Sequence, residues 1–349
     1  MLDPDLNEIA EGIRDLAPEL EGRHLLITGG RGFLGRYFTA ALARLNVDVL
    51  GKPLTVTAVD NLITAGAEGG RVEPLPYTTF IRHDITQPLE LDRPPDFILH
   101  AAGIASPYYY RAYPLETLDV AVTGTRRMLE LARQTGARIL FFSSSEIYGD
   151  PDPRAVPILE SYRGNVSCQG PRACYDESKR LGETLCYIYH DRFGVFVCTV
   201  RPFNVYGPGM QESDYRVLPN FASRLKARLP LLVYGRGNQT RTFCYVSDAI
   251  VGFLRALLKG VPGEAYNIGN PEPEISMLEL VKEIEAVLGR PVEYTLATYP
   301  DSYPADEPQR RCPDIRKARL QLGYQPRVTL REGLRRFLSW ADEVYTGKP

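Results

Sequence analysis

Tyr175 and Lys179 are the residues of this chain best suited by type and spacing to joint acid–base chemistry. They lie in the stretch Gly170–Lys179, GPRACYDESK. Four positions apart on a helix, two side chains share a face, with roughly 5–6 Å between them. A phenol ordinarily titrates near pKa ~10, and a fixed ammonium beside it favours the phenolate. The spacing therefore predicts a tyrosine base whose pKa is held down by a lysine, on a helix from Tyr175 to about Arg192. A Tyr-x-x-x-Lys pair also arises by chance, so its meaning depends on what surrounds it.

The elements that must position the pair follow from hydrophobic patterning. Apolar runs at 24–28, 54–60, 78–84, 96–102, 138–145 and 195–201 read as strands, with helices between them, one of them a long helix from Leu115 to Ala132. Strands that are apolar on both faces and alternate with helices predict a parallel sheet covered on both sides. The fold class is α/β, a doubly wound Rossmann-like sheet, followed after about residue 205 by a smaller mixed α/β lobe. That lobe is expected to hold short strands at 231–234 and 292–295 and helices near 216–228, 247–259, 276–288, 314–322 and 330–344. Leu6, Ile9, Ile13 and Leu16 suggest a short helix within an N-terminal extension, residues 1–21. The stretch 296–313 lacks periodicity and reads as a long loop of the kind that is often functional.

The first strand runs into Thr28-Gly-Gly-Arg-Gly-Phe-Leu-Gly35, in which Gly29, Gly32 and Gly35 give G-x-x-G-x-x-G. Between a strand and a helix, such a loop brings bare backbone and a helix N-terminus up to a diphosphate. Asp60 ends the second strand, where a carboxylate binds ribose hydroxyls and repels a 2′-phosphate, so NAD is expected rather than NADP. Asp84 ends the third strand, within reach of an adenine. The alternative is an ordinary strand–helix turn with two solvated aspartates.

Composition excludes several classes. The 349 residues carry a formal net charge of −2, with 44% hydrophobic and 24% charged residues, which gives no basic field for nucleic acid or an anionic membrane. No apolar run approaches the roughly 20 residues of a spanning helix. The acidic N-terminus is unlike a signal peptide. Six cysteines without C-x-x-C spacing suggest reduced thiols and a cytoplasmic location. Four histidines without ligand spacing predict no metal.

Taken in order, TGGRGFLG, HAAGIAS, FFSSSEIYGD, YDESK and RPFNVYGPG resemble the extended short-chain dehydrogenase/reductase superfamily. GPRACYDESKR, YGRGNQTRTFCYVSD, NIGNPEP and DEPQRRCPDIRKA are very similar to the UDP-glucuronate decarboxylases within it. The resemblance implies catalytic roles for Tyr175, Lys179, Ser144, Glu146 and Arg311. It implies a dinucleotide site at Gly29, Gly32, Phe33, Leu34, Gly35, Asp60, Asn61, Asp84, Ile85, Ala101 and Ala102, together with Tyr175 and Lys179. It implies substrate contacts at Tyr110, Ser145, Asn204, Arg241 and Arg311. Residues 22–205, with a return segment at about 240–268, would form the NAD-binding domain, and 206–349 mainly the nucleotide-sugar lobe. The resemblance also implies a homodimer through a four-helix bundle of 115–132 and 175–192, to which the apolar stripe Leu181, Leu185, Tyr189 is suited, although core burial explains the stripe equally well.

The resemblance implies oxidation at sugar carbon 4, most closely for decarboxylation of UDP-glucuronate. Nucleotide-sugar 4-epimerases and 4,6-dehydratases share that opening step, and a non-catalytic NAD-binding regulator would share the fold. Dehydratases commonly place an aspartate where this chain has Ser145. Three positions depart from the decarboxylase pattern: Gly209 replaces an arginine, Ala121 an asparagine and Cys312 a lysine. The same residues admit plainer readings. Ser143, Ser144 and Ser145 could cap a strand end, Glu146 could be a solvated acid, Arg241 and Arg311 could form surface ion pairs, and Tyr108, Tyr109 and Tyr110 could be packing.

Overall fold

Strands form where the apolar runs lie. The computed structural model describes residues 1–65, 74–298 and 308–348. Its large sheet contains β1 (His24–Thr28), β2 (Thr55–Asp60), β3 (Thr78–Arg82), β4 (Phe97–His100), β5 (Arg138–Phe142), β6 (Val197–Pro202) and β7 (Ala265–Ile268). The spatial order is 3-2-1-4-5-6-7, and every pairing is parallel. β1 and β4 are buried along their whole length, as two helix-covered faces require. The order reverses between β1 and β4, which opens a crevice at the carboxyl ends of these strands.

The helix Ala173–Phe193 carries the tyrosine and lysine. It begins two residues before Tyr175 and stops at Gly194, whose φ of +66° ends it in the left-handed conformation. The long helix expected over 115–132 is two helices, Pro114–Asp119 and Thr125–Thr135, joined by a π-helical turn at Val120–Gly124. β-Branched Val120, Val122 and Thr123 with Gly124 are weak helix formers, and such widened turns occur where regular winding is least favoured. The apolar stripe on the helix Ala173–Phe193 also divides. Leu181 is exposed, Leu185 packs partly against the core, and Tyr189 is buried within it.

In the second lobe, Leu231–Tyr234 pairs with Tyr294–Ala297, two residues beyond the expected strand. Of the stretch read as a loop over 296–313, residues 299–307 lie outside the described residues. Its end is ordered by pairing: Arg310–Arg311 lies parallel to Thr240–Arg241, with Arg311 opposite Arg241. The helix Val246–Lys259 and β7 return the chain to the large sheet.

Residues 3–20 form the helix Asp3–Gly12 and a 3₁₀ segment, Arg14–Leu20. Asp5 is fully buried. Its carboxylate accepts hydrogen bonds from Tyr37 (3.1 Å), Tyr245 (3.0 Å) and Arg336 (3.1 Å), which satisfies a group that would otherwise be costly to bury. Among the described residues, no helix is long and apolar enough to cross a membrane.

Candidate active site

The glycine loop is shaped by close contacts that only glycine permits. Gly29 has a φ of +73°, and its N–H donates to Val59 O at 2.8 Å. A Cβ on Gly35 would fall 2.1 Å from Gly29 O, so the helix Phe33–Asp48 could not approach the end of β1 with any larger residue there. Asp60 closes the neighbouring strand by accepting from the backbone N–H groups of Arg31 (2.9 Å) and Leu62 (2.7 Å), which fixes the carboxylate at the crevice edge.

From this loop runs a continuous groove. One end is lined by Gly29, Gly32, Asp60, Asn61, Asp84, Ile85, Ala101 and Ala102. The middle is lined by Phe33, Leu34, Gly35, Ser144, Ser145, Tyr175 and Lys179. The far end holds Tyr110, Glu146, Asn204, Arg241 and Arg311. The fold thus brings all of these residues to one groove. Its glycine cradle and terminal Asp60 fit a dinucleotide. In the middle, the buried Ser143 Oγ and Ser106 Oγ have no hydrogen-bond partner among the described residues, as expected of polar groups that meet a polar ligand.

Tyr175 is 7% exposed, and its ring stacks on Tyr110 with centroids 5.4 Å apart and planes 10° from parallel. Burial pushes its phenol up to about 12, against the pull of a hydrogen bond with Ser144. This is opposite to the shift expected from the lysine alone. The Lys179 ammonium donates to Phe142 O at 2.7 Å and lies 5.8 Å from the centre of the Tyr175 ring. Burial lowers the Lys179 pKa to about 8. The sequence placed the two groups together but gave no measure of how dry their surroundings are.

Beyond Tyr175 lies a cluster of buried charges. Arg311 grips Glu146 through two parallel bonds, Nη1–Oε1 and Nη2–Oε2, each 2.7 Å. Arg172 also binds Glu146 Oε2. Burial alone would raise the Glu146 carboxyl, but Arg311, Arg172 and Arg241 together hold it down to about 2. Glu146 and Arg311 are therefore neither solvated nor at the surface. Asp176 meets Arg172 Nε at 3.4 Å, and its Oδ1 is buried with no hydrogen-bond partner among the described residues. Burial, then repulsion from Glu146, raises its carboxyl to about 7.

Arg172 and Asp176 were missed as site residues although they flank Tyr175 in the stretch Gly170–Lys179. Arg216, which lines the groove beside Tyr175 and pairs with Asp214, was missed as well. Asn204 adopts a φ of +40°, a conformation asparagine tolerates better than most residues, and its Nδ2 donates to Thr242 O at 2.8 Å. Arg241 is 6% exposed and donates to the carbonyls of Thr240 (2.8 Å) and Pro308 (2.6 Å). Tyr109 OH donates to Gln211 across the lobe boundary at 2.9 Å. Of the departing positions, Ala121 is buried in the π-helical turn, and Cys312 is buried with Sγ 3.5 Å from Pro271 O.

Residues 25–269 match the NAD dependent epimerase/dehydratase family. The chain belongs to this family. It is 41% identical over 341 residues to UDP-glucuronic acid decarboxylase 1 of Xenopus tropicalis, covering 95% of this chain and 77% of that protein. It is also 41% identical over 312 residues to UDP-glucuronic acid decarboxylase 6 of Arabidopsis thaliana, covering 89% and 86%. Among solved structures it resembles the UDP-glucuronic acid 4-epimerase of Bacillus cereus in complex with UDP-glucuronic acid and NAD. The TM-score is 0.78 at 25% identity, covering 92% of this chain and 100% of that one. As in other members of this epimerase/dehydratase family, the cofactor is NAD.

Proposed function

We propose that this family member decarboxylates UDP-glucuronate to UDP-xylose. The observation that supports the reading is the buried set of Arg172, Arg241 and Arg311, which line the far end of the groove together with Tyr175. These guanidiniums meet two carboxylates, Glu146 and Asp176, and Asp176 is held towards its neutral form, so the cluster suits a sugar that brings its own carboxylate. The named relatives support the same choice.

NAD bound in the groove supplies hydride acceptance at sugar carbon 4 and its later return, and the ketone present between these events makes the carbon-5 carboxylate that of a β-keto acid. Tyr175 takes the proton of the 4-hydroxyl, and Ser144, its hydrogen-bond partner, steadies the oxygen that loses it. Tyr175 acts as base in its phenolate form, and Lys179, with its ammonium 5.8 Å from the ring, favours that form against the burial that raises the phenol to about 12. Arg311 and Arg172 orient the departing carboxylate. Glu146, held ionised by its arginines, cannot be the acid for carbon 5 at neutral pH. It orients the water that delivers that proton. The balance is UDP-glucuronate plus one proton to UDP-xylose plus carbon dioxide.

A second reading is 4-epimerisation of the same substrate, favoured by the likeness to an epimerase bound to UDP-glucuronic acid. Incubation with UDP-glucuronate separates the two. Carbon dioxide and UDP-xylose support decarboxylation, whereas a stereoisomer formed without gas release defeats it.

The reading extends to a homodimer. Leu115, Leu181, Tyr187 and Ile188 are large apolar residues exposed on the helices Pro114–Asp119 and Ala173–Phe193, the surface a four-helix bundle would cover. It also retains a cytoplasmic location and a division into an N-terminal extension, an NAD-binding domain and a sugar-nucleotide lobe.

A further inference from the structure

Glu146 and Asp176 share one cation, Arg172, and the fold provides for them unequally. Glu146 accepts from Arg311 through both of its oxygens at 2.7 Å, and from Arg172 through Oε2. Asp176 meets the same guanidinium at Nε, with Oδ2 3.4 Å away. That is longer than a charge-assisted bond of about 2.7–2.9 Å. Its Oδ1 is buried and has no hydrogen-bond partner among the described residues, and the whole residue is 6% exposed. Of two interacting carboxylates, the one with fewer donors takes the proton. Glu146, Arg172 and Arg311 line the groove, and Asp176 is joined to it through Arg172.

A further anion entering this cluster disfavours ionisation of the groups already there. Glu146, held to about 2 by its arginines, stays ionised near neutrality. Arg172 and Arg311 stay cationic. Burial raises Tyr175 and Cys174, the neighbours of Asp176 on its own helix. Asp176 alone among these stands at its midpoint near neutrality: burial, then the Glu146 charge, raise it to about 7 against the pull of Arg172 and Arg311. We infer that Asp176 is a positioning residue that takes up a proton when the substrate's carboxylate enters the arginine cluster, and gives it back when that carboxylate leaves as carbon dioxide. This rests on the decarboxylation reading. The count closes. One proton enters with UDP-glucuronate. The bond from carbon 5 to the carboxylate breaks, its electron pair stays on the sugar as the enolate, and carbon dioxide departs neutral. The enolate carbon takes a proton from water, and Asp176 returns its own to that water, so each turnover consumes one proton.

The test is titration calorimetry in two buffers of different ionisation enthalpy, which counts the protons taken up on binding. Tyr175→Phe saturated with NAD⁺ serves as the parent, so that the ligand is not consumed. UDP-glucuronate is compared with UDP-xylose, which lacks only the carboxylate. Lys179, lowered by burial to about 8, can take up a proton with either ligand, so the excess for UDP-glucuronate is the quantity read. An excess of about 0.4–0.8 proton per site is expected at about pH 8, fading at about pH 5.5, where Asp176 already holds its proton. Adding Asp176→Asn should abolish the excess and leave uptake with UDP-xylose unchanged. An Asp176 that merely braces Arg172 would alter affinity without altering this count. No excess in the parent overturns the inference, as does an excess that persists in Asp176→Asn. Should the double variant fail to fold, the parent decides: an excess undiminished at about pH 5.5 overturns the inference. Wild type provides the separate arm. Carbon dioxide release without a proton excess defeats only the role of Asp176. Absence of release from UDP-glucuronate defeats the decarboxylation reading, and this inference with it.

Discussion

Glu146, just beyond β5, and Arg311, 165 positions later, meet through two parallel hydrogen bonds of 2.7 Å. The pair joins the end of the large sheet to the small sheet that holds Arg311, in the groove that Tyr175 also lines. Removing Arg311 leaves a mostly buried carboxylate with Arg172 as its remaining close cation. Breaking a buried pair from one side typically costs about 3–5 kcal/mol. Arg311→Ala is expected to fall near the lower end of that range in denaturant melts and to lose about a hundredfold or more in turnover. Turnover near wild type would remove Arg311 from the mechanism.

The pH dependence of stability has a definite sign at Glu146. Its folded carboxyl lies at about 2, below the ordinary 4.5. It contributes stability that is present above pH 4.5 and lost as the pH falls towards 2. Acid unfolding of Glu146→Gln should show a shallower decline than wild type in this window. Superimposable acid limbs would mean that the arginines do not hold the carboxyl as described.

Asp176 has the opposite sign. Its folded carboxyl is raised to about 7 from 3.8. The associated stability is present below pH 3.8 and is lost as the pH rises through 7. Asp176→Asn should therefore gain stability relative to wild type as the pH rises from 3.8 to about 7, with melting temperatures diverging across that interval and parallel above it. A constant offset would show that Asp176 stays ionised in the fold.

Tyr175→Phe keeps the stack on Tyr110 and removes only the hydroxyl. Turnover is expected to fall by about a hundred- to ten-thousandfold, the usual contribution of a positioned base, with NAD⁺ affinity little changed. Retention of substantial activity would require another base.

Gly35→Ala places a methyl 2.1 Å from Gly29 O. Because the atom it meets is a backbone oxygen that cannot turn aside, the loop must open. NAD⁺ binding should be lost in calorimetry before the fold is lost in circular dichroism. An alanine variant with native NAD⁺ affinity would contradict the loop geometry.

The parallel sheet was legible because buried strands such as β1 and β4 are apolar throughout, and the glycine loop because its spacing sits between a strand and a helix. The charge cluster was not. Arg172 and Asp176 stand in plain view beside Tyr175, yet only the fold brings Glu146 and Arg311 against them. The direction of the Tyr175 shift was misread for a related reason: spacing reports which groups are near, not how much water remains around them. The π-helical turn at Val120–Gly124 and the short pairing of Arg311 with Arg241 are too local for periodicity to reveal.

Asp5 also bears on how the molecule is made. Its partners Tyr37, Tyr245 and Arg336 are spread over nearly the whole chain. During synthesis the first helix leaves the ribosome long before Arg336 has been translated, so its full set of partners does not yet exist. Until the helix Leu330–Val344 arrives, the aspartate lacks the cation that it meets in the folded chain.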